Sequence, residues 1–334
     1  MEIGLNKILL FPDKLKALLN SNEDNPDFLY PISVELSLTN ECNQKCIWCS
    51  DYELRNRLPG TLKKEVIFNL VDDLKIGGTK GITIEGGGEP TLHPDFIEII
   101  NYIYDKGLGV GLITNGVILN YEDILHKFDW IRISLDAANS NEYKKLKGTN
   151  NFDTVINNIK KIAQKTNVCG IGYIITQDNI NHLEELTIIL KEIGVKYIHF
   201  RPVIDNPDLY IETNLDYLKH FENKDFSIIA DALQENKVRG NNGVPCYANS
   251  LVSIISASGD VFICGRLNVY EWLKPIGNIN NQKFKDIWNG EERIKQIRKV
   301  LDNKFCNRYC PECRITKYNI LIDKLKKIKT KNFI

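Results

Sequence analysis

The feature that most constrains the fold is a regular alternation of strand and helix signals between residues 31 and 204. Short apolar runs of β type are separated by longer segments whose apolar residues recur at helical spacing. This alternation predicts parallel strands joined by right-handed crossovers, in a barrel or an open α/β sheet. The six predicted strands cover residues 33–38, 81–85, 109–114, 131–135, 170–176 and 197–203.

Helix boundaries are predicted from caps and breakers. The spacing predicts helices over residues 61–74, from Pro94 to Gly107, and over 152–162. Another is predicted up to residue 193, opened by Asn181 and Glu184 as a capping pair. A further helix is predicted around 226–233. Beyond it, residues 251–256 and 260–264 flank a Ser-Gly turn and predict a β-hairpin.

Three cysteines follow the first predicted strand, in the run Cys42-Asn-Gln-Lys-Cys46-Ile-Trp-Cys49. Iron–sulfur clusters are normally held by four thiolates, so this loop would leave one iron open to an outside molecule. The alternative is a structural zinc site, which needs four Cys or His ligands. The spacing matches no common zinc pattern, and the closest histidine, His93, lies far along the chain. We therefore favour a cluster.

A glycine-rich run, Gly86-Gly87-Gly88-Glu89-Pro90, follows the second predicted strand and precedes a helix. Without Cβ atoms, the backbone here can approach a ligand that side chains would exclude. The glycines alone would also fit an ordinary strand-to-helix turn. Because the carboxyl ends of parallel strands share one rim, we expect this run and the cysteine loop to lie at the same mouth.

The CxxxCxxC spacing with Trp48 before the last cysteine, together with the glycine run, resembles the radical S-adenosylmethionine (radical SAM) family. The resemblance implies an incomplete (β/α)6 TIM-like barrel and a [4Fe–4S] cluster held by Cys42, Cys46 and Cys49. The open iron would chelate the amino and carboxylate groups of S-adenosylmethionine. The run from Gly86 to Pro90 matches the family's GGEP motif, whose backbone and Glu receive the methionyl amino group. Contacts with the ribose or carboxylate are implied for Thr114, Asn115 and Ser134.

The same resemblance implies the chemistry. An electron from the reduced cluster would enter the sulfonium, giving methionine and a 5′-deoxyadenosyl radical that abstracts hydrogen from the substrate. A donor such as flavodoxin or ferredoxin would supply that electron. Protein-bound clusters span roughly −700 to +450 mV, and hydrogen bonds to sulfur and exposure set the value.

A second group of cysteines lies late in the chain. The spacing of Cys246 and Cys264 around Gly259 resembles the opening of the SPASM and twitch extensions of radical SAM enzymes. The late run then gives a second CxxxCxxC, with Cys306, Cys310 and Cys313. A full SPASM domain has seven cysteines and two auxiliary clusters, whereas five can fully ligate only one four-cysteine cluster. The resemblance therefore favours one auxiliary [4Fe–4S] cluster held by Cys246, Cys264, Cys310 and Cys313.

In that assignment Cys306 is a spare or a substitute ligand. The alternative for this group is a zinc ribbon, because a hairpin cysteine pair plus a CxxC would serve zinc equally well. The predicted organisation is an N-terminal extension (1–30), the radical SAM core barrel (31–210), a linker (211–245), a SPASM/twitch-like domain of hairpin and helix (246–313), and a basic helix (314–334). The terminal helix is expected to be solvated.

Two further residues are candidates for catalysis. Cys169 begins the fifth predicted strand and would be either a small buried hydrophobe or a hydrogen-atom donor to a substrate radical. Arg201 ends the sixth strand at the rim. Its guanidinium would pair either with a carboxylate of the substrate or of methionine, or with a structural partner.

Composition limits the partners. The chain of 334 residues carries 43 basic and 43 acidic residues, so no net field draws it to nucleic acid or to an anionic membrane. No apolar stretch reaches the 18 residues of a membrane span, and no secretion signal is recognisable. Nine cysteines at metal-like spacings indicate ligation in a reducing compartment, the cytoplasm. The expected partner is a small molecule or a peptide.

The reaction is predicted from the auxiliary cluster. A fully ligated cluster has no open iron for substrate, so it would carry an electron, which indicates oxidation. The cysteine spacing resembles that of the 2-deoxy-scyllo-inosamine dehydrogenases and implies a carbohydrate-like or cyclitol-like substrate. A peptide-modifying enzyme, in the maturation of ribosomally made peptides, is the alternative. The short segment before the first strand lowers that expectation, because it offers little room for a leader-binding domain. A non-catalytic iron–sulfur or zinc sensor is disfavoured by the glycine run.

Overall fold

A computed structural model describes residues 5–203, 206–230, 243–264, 273–302, 304, 305, 308 and 315–328. The chain folds into two compact units. The first contains the described residues of Leu36–Lys64 and Ile82–Asn236. The second contains those of Glu2–Glu35, Glu65–Gly81 and Lys237–Ile334.

The helices and strands follow in chain order. They are α1 (Pro12–Asn20), β1 (Ser33–Leu36), α2 (Tyr52–Arg57), α3 (Lys64–Ile76), β2 (Gly81–Ile84), α4 (Phe96–Asp105), β3 (Gly109–Thr114), β4 (Trp130–Ser134), α5 (Ser140–Lys147), α6 (Phe152–Lys165), β5 (Cys169–Ile175), α7 (Leu183–Ile193), β6 (Tyr197–Pro202), β7 (Ser227–Ile229), β8 (Val252–Ile255), β9 (Asp260–Phe262), β10 (Gly277–Asn278), α8 (Phe284–Trp288), α9 (Glu291–Leu301) and α10 (Thr316–Lys326).

Parallel strands in chain order form the sheet of the first unit, where β2 to β7 are consecutive neighbours. The register pairs Arg132 with Gly170, and Gly170 with Tyr197. Two residues further on, it pairs Ser134 with Gly172, and Gly172 with His199. The consecutive order and parallel pairing from β3 to β7 are those of the predicted α/β class, a partial (β/α)6 barrel.

One face of this sheet is apolar and the other is polar. Alternate residues such as Ile131, Ile133, Ile171 and Phe200 are fully buried. They match the apolar stripes of helices α4, α6 and α7, for example Ile99, Ile159 and Leu190. The residues between them on β4, β5 and β6 form what we call the polar face: Arg132, Ser134, Gly170, Gly172, Ile174, Tyr197, His199 and Arg201. Because the period of a strand is two, the sequence assigns each residue to one face.

The second unit contains the predicted hairpin, with β8 and β9 antiparallel and β10 paired to β9. The backbone N–H of Ile32 donates to the carbonyl of Leu251 (2.9 Å) as β1 lies next to β8. Gly259 has φ +87° in the tight turn, as glycine there allows. Among the described residues, no helix is long and apolar enough to span a membrane.

The C-terminal helix α10 is packed rather than simply solvated, contrary to our expectation. Its Ile322 is fully buried in a cluster with Ile8, Leu18, Ala248 and Leu251. The ammonium of Lys326 donates to the carbonyls of Leu19 (2.8 Å) and Ser21 (2.7 Å). The apolar side of the helix supplies the burial, and its lysine anchors the end.

Two local predictions were wrong. Residues 227–229 form strand β7, not a helix, because a short apolar run does not distinguish the two by periodicity. Helix α7 begins at Leu183 after a short 3₁₀ turn (Ile180–His182), so Asn181 does not cap it. Helices α2 and α5 were not predicted, because they are short and mostly polar.

Shortening Ile322 to alanine should destabilise the protein by about 2–5 kcal/mol, because the cavity would lie in a closed apolar cluster. The matched control is Lys324→Ala, an exposed position on the same helix, which should change stability by less than about 0.5 kcal/mol. Chemical denaturation followed by circular dichroism measures both. Equal effects of the two changes would contradict the packing of α10.

Candidate active site

The cysteine loop is fastened at its centre to the end of helix α5. The backbone N–H of Lys45 donates to the carbonyl of Lys147 (2.9 Å), and that of Ile47 donates to the carbonyl of Leu146 (3.1 Å). These two bonds flank Cys46. Cys42 is exposed, whereas Cys46 and Cys49 are partly buried. The loop therefore presents three thiols on a backbone whose middle is fixed.

Trp48 supports the loop from below. Its side chain is 8% exposed and packs with Leu146 and Val203 in a small apolar cluster that Cys46 also contacts. The aromatic residue before the last cysteine thus has a structural role here. It replaces water with hydrocarbon beside Cys46 and so contributes to the burial of that thiol.

A buried ion pair lies beneath the loop. The ammonium of Lys147 contacts the carboxylate of Asp136, and both side chains are nearly inaccessible. Burial disfavours the charge on Lys147, but Asp136 outweighs it and raises the pKa of Lys147 above its usual value. Asp136 has φ +57° and also accepts a hydrogen bond from the N–H of Ile174 (2.6 Å). The pair links the turn after β4, strand β5 and the end of α5.

Lys147 also acts on the thiols. Burial raises the pKa of Cys46 to about 11, and the nearby Lys147 charge opposes that shift. The thiol of Cys46 contacts the Gln44 side-chain oxygen (3.6 Å), while the amide of Gln44 donates to the hydroxyl of Tyr143 on α5 (2.5 Å). Ligation by iron requires the thiolate, so a fixed positive charge beside Cys46 favours the ligated form.

The glycine run packs directly against the segment that leads into the cysteine loop. Gly86 and Gly87 have φ of +68° and +63°. A Cβ on Gly88 would lie 1.9 Å from the carbonyl oxygen of Glu41, and its N–H donates to the carbonyl of Thr39 (2.9 Å). The glycines are thus required by backbone conformation and by the approach of two loops, a reason that the sequence alone did not reveal.

Glu89 is the centre of the site's hydrogen bonding. Its carboxylate is 2% exposed and accepts from the hydroxyl of Thr114 (2.6 Å) and the N–H of Asn115 (2.7 Å). It also accepts from the hydroxyl and N–H of Thr91 (2.7 and 3.2 Å). Burial raises the pKa of Glu89, and these bonds oppose the shift. Pro90 starts the short turn that carries Thr91.

Asn115, which follows β3, is hydrogen-bonded both to Glu89 after β2 and to the cysteine loop. The side-chain amide of Asn115 donates to the side chain of Asn43 (2.6 Å), which lies between Cys42 and Cys46. The structure therefore brings the cysteine loop, the glycine run, Thr114 and Asn115 together. Ser134 is the last residue of β4 and lies on the polar face.

A cavity of about 850 Å³ opens beside the loop, with Cys42 and Cys46 in its wall. Its lining also includes Asn40, Glu41, Gln44, Lys45, Tyr52, Arg55, Asn56, Pro59, Gly60 and Thr61. In the described parts of the chain, no three Cys, His, Asp or Glu side chains converge to hold a single metal ion. A four-iron cluster places its thiolates on separate irons, and a soft three-thiol set beside an open cavity fits such a cluster.

The late cysteine group is described in part. Cys246 precedes the 3₁₀ turn Tyr247–Ser250, and Cys264 follows β9. The amide of the buried Asn319 on α10 lies 3.9 Å from the sulfur of Cys246 and its oxygen accepts from the N–H of Ala248 (2.7 Å). Cys306, Cys310 and Cys313 lie outside the described residues.

The structure separates the two catalytic candidates. Cys169 is fully buried on the apolar face, and burial raises its pKa to about 12. Arg201 is half-buried on the polar face. Sequence reasoning did not find Asp136, Lys147 or His199. Only Asp136 had a signal, since it follows a strand at its carboxyl end.

Comparison with known proteins agrees with this site. Residues 36–190 match the radical SAM superfamily, and residues 246–314 match the SPASM iron–sulfur cluster-binding domain. The chain belongs to the radical SAM enzymes that carry a C-terminal SPASM extension. Its cofactors are therefore iron–sulfur clusters and S-adenosylmethionine, as predicted.

Individual relatives differ in what their names describe. The mycofactocin maturase of Mycobacterium tuberculosis is 26% identical over 290 residues, covering 80% of this chain and 73% of the relative. An S-adenosylmethionine-dependent nucleotide dehydratase of Selenomonas ruminantium is 34% identical over 176 residues, covering 48% and 62%. Streptococcus suis SuiB, solved with its precursor peptide SuiA, has the same fold with a TM-score of 0.66, 19% identity, and coverage of 89% and 73%.

The expectation of a carbohydrate-like substrate is not supported by these comparisons. A mycofactocin maturase, whose name refers to no carbohydrate substrate, matches four fifths of the chain. The spacing of cysteines describes how a cluster is held and carries little information about the pocket walls. The cysteine spacing therefore did not justify an inference about the substrate.

Replacing Lys147 with methionine should destabilise the protein by about 3–5 kcal/mol, because the Asp136 carboxylate would be buried without its partner. Adding Asp136→Asn should recover part of that loss. The control is Lys145→Met on the same helix, where an exposed pair with Asp178 should contribute less than about 1 kcal/mol. Denaturant titrations measure all three, and equal effects at Lys145 and Lys147 would refute a buried pair.

Gly88→Ala should displace the glycine run from Glu41 and abolish formation of 5′-deoxyadenosine, because a Cβ would overlap backbone atoms. Gly194→Ala is the control, since that glycine has an unusual φ (+97°), which Gly88 does not, but no atom lies within 4 Å of the added carbon. The control should lose about 1 kcal/mol of stability and keep activity. Retained activity in both variants would show that close contact between the glycine run and Glu41 is not required for cleavage of S-adenosylmethionine.

Proposed function

We propose that this enzyme modifies a peptide through radical chemistry, as a maturase of ribosomally made peptides. The observation that carries the proposal is the match to a maturase over 290 residues, which covers 80% of this chain. The fold is also shared with SuiB, which has been solved with a peptide. The nine cysteines suit a reducing cytoplasm.

Cys42, Cys46 and Cys49 would hold the catalytic cluster, with Gly86 to Pro90, Thr114, Asn115 and Ser134 around S-adenosylmethionine. When bound, the cluster and S-adenosylmethionine supply a 5′-deoxyadenosyl radical that abstracts hydrogen from the substrate. Oε1 of Glu89 accepts from Thr91 and Thr114, whereas Oε2 accepts only from the N–H of Asn115, so Oε2 would still accept a hydrogen bond from the amino group of S-adenosylmethionine. The backbone of the glycine run and Ser134 would contact the cofactor beside Glu89.

Cys246 and Cys264, with Cys310 and Cys313, would hold one auxiliary cluster, and Cys306 would be spare. Asn319 is placed to donate to the sulfur of Cys246 while its oxygen holds the backbone of the following turn. Such a hydrogen bond to sulfur raises the potential of a cluster. An auxiliary cluster would accept an electron from the substrate radical, and flavodoxin or ferredoxin would reduce the catalytic cluster.

The test is anaerobic reconstitution with iron and sulfide, followed by incubation with S-adenosylmethionine, a low-potential reductant and a candidate precursor peptide encoded beside the gene. We expect about eight irons per chain, formation of 5′-deoxyadenosine, and a mass change in the peptide. A protein without Cys42, Cys46 and Cys49 should hold about four irons and form no 5′-deoxyadenosine. A protein without Cys246 and Cys264 should lose the other four.

Specific outcomes would contradict the proposal. If metal analysis found zinc in place of iron, neither iron–sulfur cluster would be present and the proposed chemistry would be excluded. Cleavage of S-adenosylmethionine that is unaffected by peptides, yet is stimulated by a nucleotide, would replace the peptide with the substrate class named for the dehydratase relative.

A further inference from the structure

The polar face holds a group of cationic and hydrogen-bonding side chains that the chemistry above does not use. Arg132 on β4 and His199 on β6 lie on either side of strand β5. Tyr197 lies two residues before His199 on the same strand and therefore on the same face. All three lie in the first unit; His199 is level with Ser134 at the end of β4, and Arg132 and Tyr197 lie two residues earlier on their strands.

Two glycines on β5 create the space between them. Gly170 is covered by the ring of Tyr197, since a Cβ there would lie 2.1 Å from that ring. Gly172 instead faces Arg132, whose Cδ and Nε would be 3.4 and 3.5 Å from an added Cβ. Arg132 therefore leans from the level of Gly170 towards Gly172, the residue paired with His199. Strand β5 therefore contributes no side chain of its own to the patch between Arg132 and His199, and Tyr197 and Arg132 lie over its glycines.

The polar atoms that meet at this patch lack protein partners. Within the part of the chain that the structure describes, Nε of Arg132, Nδ1 of His199 and the hydroxyl of Tyr197 are buried without a hydrogen bond. No ion pair to Arg132 is found among those residues either. A buried donor without an acceptor typically costs about 1–3 kcal/mol, and a buried charge costs more. Three such groups on one patch indicate that a ligand supplies the acceptor.

The electrostatics specify the sign of that ligand. Burial, and then the charges of Arg201 and Arg132, together lower the pKa of His199 to about 3, so the imidazole is neutral. The same two guanidinium groups act on Tyr197, although burial raises its pKa overall. The patch therefore combines positive charge with a neutral imidazole and a phenol, both able to donate. An anion with two acceptor oxygens matches this set.

We propose that Arg132, His199 and Tyr197 form a binding site for a carboxylate side chain, aspartate or glutamate, of the peptide substrate. The proposal rests on the proposed function for the class of substrate. The planar guanidinium of Arg132 would bind the carboxylate, while Tyr197 and His199 would orient it. Anchoring one acidic residue in the polar face would fix which neighbouring residue reaches the cofactor.

The test measures binding of two radiolabelled probes to the reconstituted holoenzyme with S-adenosylmethionine present. The probes are N-acetyl-glutamate N-methylamide and its glutamine counterpart, which has the same shape without the charge. Equilibrium dialysis should show the glutamate probe bound at least about tenfold more tightly. Arg132→Gln should remove that preference, whereas Arg298→Gln, an exposed arginine in the second unit, should keep it.

A milder variant guards against loss of folding. Tyr197→Phe keeps the ring over Gly170 and removes only the hydroxyl, so it should fold and reduce the preference by about threefold to tenfold. Circular dichroism and iron content establish that each variant is intact. A preference that is unchanged in folded Arg132→Gln and Tyr197→Phe would overturn the proposal.

Other outcomes would also overturn it. Equal binding of both probes by the wild type would exclude carboxylate recognition. Displacement of the glutamate probe by GTP or CTP at lower concentration, dependent on Arg132, would assign the site to a phosphate. Loss of S-adenosylmethionine affinity in Arg132→Gln, with probe binding intact, would assign it to the cofactor.

The two proposals fail in different ways. Wild-type protein that binds the glutamate probe selectively but forms no 5′-deoxyadenosine would refute the proposed function alone. Wild-type protein that forms 5′-deoxyadenosine but shows no preference between the probes would refute the carboxylate site alone.

Discussion

The site depends on the buried carboxylate of Glu89. A buried carboxylate needs hydrogen-bond donors, and Glu89 accepts four bonds from Thr91, Thr114 and Asn115, three at Oε1 and one at Oε2. Because those donors come from the turn after β2 and the end of β3, satisfying one charge fixes two strand ends. The amide of Asn115 then extends this constraint to Asn43 in the cysteine loop. Three separate loops are therefore positioned by one electrostatic requirement.

A second buried charge holds the opposite side of the loop. The pair of Lys147 and Asp136 joins helix α5 to the turn after β4, and the backbone of α5 accepts the N–H groups on either side of Cys46. Interior ion pairs contribute little to stability compared with apolar packing, yet they define one geometry, since a shifted partner leaves a charge unpaired. The buried ion pair therefore helps to keep the three thiols of the loop at fixed positions.

The sequence predicted the parts of the fold that depend on periodicity. The six core strands, the parallel pairing from β3 onwards and the late hairpin follow from apolar spacing, and the cysteine and glycine motifs were placed at adjacent strand ends. It did not predict helix α5 or strand β7, because a polar helix and a three-residue strand leave weak patterns. It also missed Lys147 and His199, whose roles depend on neighbours distant in sequence. The reason for Gly88 emerged only from its contact with Glu41.

The polar face shows why strand register matters more than residue type for a radical enzyme. Cys169 and Gly170 are consecutive, yet one is buried in the apolar core and the other lies beside Tyr197 on the opposite face. A shift of one residue in β5 would exchange them and place a thiol where a substrate radical could meet it. The glycines at 170 and 172 instead leave a surface that Tyr197 and Arg132 cover and that His199 borders. Such a surface contains no readily abstracted hydrogen on a thiol, and its positive charge can hold an anionic group in place.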